Sequence, residues 1–149
     1  MLRDLIARFA RPEDAAPLPA EDARLALAAL MVRAARADGT FDADERAAIR
    51  DVLAARHGLD AAGAEALIAE AEAVEAQAPD TVRFTRLIKQ AVAYEDRAGV
   101  MEALWTVALA DGRRDPAEDA ALRQIAPLIG VTDRDSALAR RRAAAPAPD

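Results

Sequence analysis

Ala35–Arg46 reads ARADGTFDADER, and Ala108–Asp119 reads ALADGRRDPAED. Each stretch is the end of one helix, an Asp-Gly turn and the start of another. Gly39 and Gly112 stop the incoming helix, because glycine adopts the left-handed C-terminal position without steric cost. Asp42 and Asp115 open the next helix as N-caps, with Glu45 and Glu118 three residues on, as in a capping box. Pro116 suits the first helical position. Beyond the turns, Ile49 matches Leu122, and Gly58-Leu59 matches Gly130-Val131 after a one-residue slip. Each half therefore reads as helix, acidic turn, helix, glycine stop, helix.

Working outward, apolar residues recur at helical spacing throughout, and no alternating strand pattern occurs. Helices are expected over Glu21–Ala37, Ala43–His57, Asp60–Ala78, Thr81–Tyr94, about Arg97–Ala110, Pro116–Ile129 and Asp133–Arg142. Their inward residues include Leu27, Leu30 and Met31 in the first, and Val100, Leu104 and Val107 in the fifth. Glu65, Glu70, Glu72 and Glu75 are expected on the outer surface of the third. The fold class is all-α: a compact bundle of about seven helices in two halves related by a pseudo-two-fold axis. A short N-terminal amphipathic helix, Leu2–Ala10, precedes a linker from Pro12 to Pro19. The expected organisation is thus residues 1–20 helix and linker, 21–142 helical domain, and 143–149 disordered tail.

Composition agrees. The 149 residues are 53% hydrophobic but only 3% aromatic, and much of the apolar content is alanine, which favours close-packed helices. A net charge of −6 argues against a general nucleic-acid binder, which needs a basic footprint. With no cysteine there is no disulfide, thiolate metal site or cysteine nucleophile. No apolar run is long enough to cross a membrane, and no secretory signal is evident, so the cytoplasm is expected.

The acids of the turns divide into two kinds. Asp42, Glu45, Asp115 and Glu118 are explained as caps that also complement the helix dipole. Asp38 and Asp111 are not. Each lies in the last turn of its helix, where the dipole disfavours a carboxylate, and each continues the apolar stripe. An inward carboxylate needs a partner, which here is backbone N–H, an arginine or a cation. Converged, Asp38, Asp42, Glu45, Asp111, Asp115 and Glu118 make an all-oxygen set suited to Ca²⁺, Mg²⁺ or Mn²⁺. The set is not an EF-hand: Ala34, Arg36, Val107 and Leu109 occupy its first and third ligand positions.

The doubled turn resembles the TerB-like domain of tellurite-resistance proteins, and is similar to the N-terminal domain of a membrane-anchored J-domain co-chaperone. The second copy, ALWTVALADGRRDPAEDAALRQIAPLIGV, carries most of the likeness, which spans about Glu21 to Leu138. The resemblance implies about seven helices with pseudo-two-fold symmetry. It also implies an acidic cluster proposed to chelate metal, drawn here from the same six carboxylates. A cytoplasmic role in resistance to tellurite or other chemical stress follows from it, beside the inner face of the membrane. Arg113-Arg114 stand where the first copy has Thr40-Phe41, and arginines there would neutralise the acids without metal.

Other residues invite simpler readings. His57, the sole histidine, precedes a helix-ending glycine and reads as a cationic cap. Ser136 lacks a nucleophile-elbow context. Trp105 reads as packing, with a partner-binding hot spot as the alternative. Arg140–Arg142 read as a solvated helix end. The arginines around Leu2, Leu5, Ile6 and Phe9 would allow residues 1–11 a peripheral membrane contact, though docking on the domain or on a partner explains them more simply. The sequence thus points to a non-enzymatic stress-response module whose acidic turns bind a divalent cation or a protein partner. The alternative is a ligand-free interaction scaffold whose acids only cap helices. A metal-dependent hydrolase has least support, since carboxylates are the only catalytic groups on offer.

Overall fold

The computed structural model describes residues 20–39, 41–78, 80–110 and 115–145, without the side chains of Ala20, Glu21 and Asp38. Within them are seven α-helices and no strand: α1 (Ala20–Ala35), α2 (Ala43–His57), α3 (Ala61–Gln77), α4 (Val82–Ala91), α5 (Arg97–Leu109), α6 (Pro116–Leu128) and α7 (Asp133–Ala144). The all-α bundle read from the sequence is the fold observed. Leu2–Ala10 and the Pro12–Pro19 linker lie outside the described residues.

Two helices form the centre. Every residue from Leu25 to Val32 of α1 is at most 3% exposed, so α1 is buried all round rather than on one face. It touches α2, α3, α4, α5 and α6. The cause is its alanines: Ala26, Ala28 and Ala29 let neighbouring helices approach the sides that a one-stripe reading leaves to solvent. In the second half, α5 plays the same part, with Val100, Met101, Leu104 and Trp105 all buried. The packing partners are duplicated as well. Helices α1 and α3 pair as α5 and α7 do, α1 and α2 as α5 and α6, and α2 and α3 as α6 and α7. The central helices are the ones that run into the acidic turns.

The helix ends follow the punctuation of the sequence, with three adjustments. Helix α1 tightens after Ala35 into a 3-10 turn, Arg36–Asp38, closed by Gly39 at φ 88°, whose N–H donates to the Arg36 carbonyl. Helix α4 stops at Ala91 rather than Tyr94, and a 3-10 turn, Tyr94–Asp96, leads into α5. The stop is stabilised by Arg97, which donates from Nη2 to the Lys89 carbonyl (2.8 Å) and from Nε to that of Val92 (3.1 Å), the acceptors freed at the helix end. Helix α7 continues through Ala143 and Ala144, two residues expected in the tail.

Glu75 corrects the reading of α3. It was expected on the outer surface, yet it is 8% exposed and lies between Arg33 (3.5 Å) and Arg36 (3.4 Å) of the first half. Arg33 also donates to the carbonyls of Glu75 (3.2 Å) and Ala78 (2.9 Å), and its guanidinium stacks over Phe84. One side chain thereby ties α1 to the end of α3 and the start of α4. Glu65 and Glu72 are also committed, to Arg46 and Arg50 of α2, and those guanidiniums hold the Glu65 carboxyl below its ordinary value. Removing one partner of a buried pair leaves the other charge uncompensated. Glu75→Gln is therefore expected to cost on the order of 2 kcal/mol in chemical unfolding. The exposed neighbour substitution Glu70→Gln should stay within about 0.5 kcal/mol.

Candidate functional site

The first acidic turn is built from both sides of Gly39. On the incoming side, Arg36 pairs with Glu75 and its guanidinium lies 5.4 Å from the centre of the Phe41 ring. Phe41 is half-buried against the core. On the outgoing side, the Asp42 carboxylate accepts from the Glu45 N–H at 2.8 Å. The turn is thus held at Arg36, Phe41 and Asp42. In the second turn, Asp115 Oδ1 accepts from the N–H groups of Ala117 (2.8 Å) and Glu118 (3.1 Å). Both aspartates are the caps that the sequence indicates. Asp42 is exposed, whereas Glu45, Asp115 and Glu118 are half-buried.

The two turns are related through α6. The 3-10 turn Arg36–Asp38 packs against α6, the helix that Asp115 opens. The side chain of Asp38, and Asp111 with Gly112, Arg113 and Arg114, lie outside the described residues. Among the described residues, no group of three or more His, Asp or Glu side chains is placed to hold a metal ion. A site from the sequence-derived set therefore requires Asp38 and Asp111. The donor chemistry fits a hard cation: capping occupies one oxygen of Asp42 and of Asp115, and a carboxylate has a second.

Helices α5, α6 and α7 share a polar knot that the sequence reading does not foresee. Trp105 is 2% exposed, so it is a packing residue, and its indole N–H donates to Ser136 Oγ at 3.1 Å. Arg140 stacks on the same indole and faces the buried carboxylate of Asp119 at 3.9 Å. Arg142 pairs with Glu102 at 2.9 Å. Of the three arginines read as a solvated end, Arg140 is structural, whereas Arg141 and Arg142 are exposed as expected. The signal for Asp119 is its spacing: it precedes the buried Leu122 by three residues and Ala126 by seven, and so shares their side of the helix.

His57 is corrected too. Its pKa is lowered from 6.5 to about 4, first by burial and then by the positive charges of Arg24 and Arg56. Its Nε2 is buried with no hydrogen-bond partner among the described residues. His57 is therefore neutral near pH 7 and caps nothing by charge; the Gly58 N–H closes α2 by donating to the Ala54 carbonyl.

A family model described as "Tellurite resistance protein TerB" matches residues 24–141. The chain belongs to the TerB family. Neither a comparison with curated proteins nor one with solved structures finds a match. Among the described residues, no helix is long and apolar enough to cross a membrane.

Two measurements check this account of the site. Asp42→Ala and Asp115→Ala, which each remove a cap, should each cost about 1 kcal/mol. The His57 ring, unique in the spectrum, should titrate near pH 4 by NMR. Because its native pKa lies below the unfolded value, the unfolded chain takes up the proton first. Stability should fall as pH drops from 6.5 towards 4, and His57→Asn should remove that part of the dependence.

Proposed function

We propose that this chain is a non-enzymatic, tellurite-resistance-like module of the cytoplasm that binds a hard divalent cation at its two acidic turns. The ligands would be drawn from Asp38, Asp42, Glu45, Asp111, Asp115 and Glu118. The observation that carries the reading is the packing of the Arg36–Asp38 turn against α6, the helix opened by the second acidic turn. The duplicated contacts within the halves favour a two-fold relation, which would give the two turns equivalent places. In the sequence, Asp38 and Asp111 each continue the apolar stripe of a central helix, an unfavourable position for a carboxylate unless something cationic or a donor compensates it. Ca²⁺, Mg²⁺ and Mn²⁺ match all-oxygen donors better than softer metals do.

A second reading has its own support. The caps at Asp42 and Asp115 explain those two acids without a ligand, as a helical interaction scaffold would need. A thermal melt of chelator-treated protein against each cation separates the two. The metal reading expects Tm to rise with one hard cation, and the rise to vanish in Asp38→Ala/Asp111→Ala with helix content unchanged. No shift with any cation, together with a double variant that is merely less stable, would leave the scaffold.

A further inference from the structure

The outer faces of α4 and α6 carry a charge opposite to that of the chain as a whole. The chain has net charge −6, yet α4 holds Arg83, Arg86 and Lys89 and no acid. Its exposed residues are Val82, Arg86, Lys89, Gln90 and Ala91. Helix α6 packs on α4, and its exposed residues are Pro116, Ala120, Arg123, Gln124, Pro127 and Leu128. No exposed residue of either helix is a carboxylate. The two helices meet at Gly130, where a Cβ would lie 3.0 Å from Arg97 Nη1 and 3.9 Å from Lys89 Cε. Cations from α4 and α5 thus gather at the end of α6. Apolar surface accompanies them: Val82 is 40% exposed, Leu128 39% and Tyr94, beneath Arg97, 64%.

We propose that this α4–α6 face docks an acidic segment of a partner protein, its carboxylates over Arg86, Lys89 and Arg123 and an apolar side chain against Leu128 or Val82. Complementary charge selects such a partner and rejects basic ones, while exposed apolar residues among the cations supply the contact area that ions alone lack. Exposed cations and exposed apolar side chains on one face fit a segment that carries both acidic and apolar residues. An anionic bilayer offers no matching apolar side chains at fixed spacing, and the acidic remainder of the molecule would oppose its approach. The docking face is independent of the cation site, since it shares none of the six carboxylates.

The test uses the full chain and a fluorescent peptide of repeating Glu-Glu-Leu, read by anisotropy, with phosphatidylserine-containing vesicles in a parallel flotation assay. Peptide binding should weaken with rising salt and fall by ~10-fold or more in Arg86→Glu/Lys89→Glu, with Tm near that of wild type. Arg123→Glu, on the other helix, should weaken it as well, and it carries the test if the double variant does not fold. Equal affinity in wild type and variants, no binding to the peptide, or flotation with vesicles in place of peptide binding would each overturn the proposal. Added chelator should leave the peptide result unchanged, so failure here and failure of the cation reading are distinct.

Discussion

The carboxylate of Glu75, held between Arg33 and Arg36, is the interaction on which the first half of the molecule depends. A buried ion pair repays its desolvation only when further hydrogen bonds satisfy the charges. Here Arg33 supplies them by also donating to the carbonyls of Glu75 and Ala78 at the end of α3. The arrangement thus serves three purposes at once. It closes α3, fixes the connection to α4, and locks Arg36, the first residue of the turn that leads to Asp38 and Gly39. The position of the acidic turn follows from a charge cluster on its protein side.

Around that anchor the bundle is built from two central helices, α1 buried on all sides and α5 buried from Val100 to Ala108 except along Glu102 and Thr106. Alanine makes this feasible, because helices faced with small side chains can be surrounded by neighbours at close range. A consequence is that polar groups are pushed to helix ends and to the outer helices. Exposed cations lie on α4, at Arg123 of α6 and at the end of α7. The second half uses a different device from the first: Trp105, Ser136, Arg140 and Asp119 join α5, α6 and α7 where the first half uses Glu75 and its arginines. The repeat preserves the turn and the helix order while the internal fastening differs.

Much of this was legible in the sequence. Helix starts and stops were marked by Asp42, Asp60, Asp115, Gly39, Gly58 and Gly130, residues whose backbone preferences act locally and need no tertiary information. What escaped depended on neighbours. The all-round burial of α1 was hidden because alanine marks neither an inside nor an outside. Glu75 looked like the three other glutamates of α3, although it continues the buried line of Ile68 and Ala71 at helical spacing. His57 read as a cation because its own helix end favours charge, whereas Arg24, on another helix, helps suppress it. The end of α4 depended on Arg97, a residue beyond the helix it terminates. As for the candidate site, the capping of Asp42 and Asp115 was readable from spacing alone. Whether the acids of two turns distant in sequence converge is a property of tertiary packing, and the contact of the first turn with α6 bears on it.

The measurement that tests the central claim most directly is paramagnetic broadening of backbone amide signals by substoichiometric Mn²⁺, reversed with chelator. If the two turns share one hard cation, broadening should concentrate at Gly39–Glu45 and Gly112–Glu118 together, at the same concentrations of Mn²⁺. Broadening confined to one turn, centred on exposed acids such as Glu70, or spread evenly over the acidic surface would contradict a shared site.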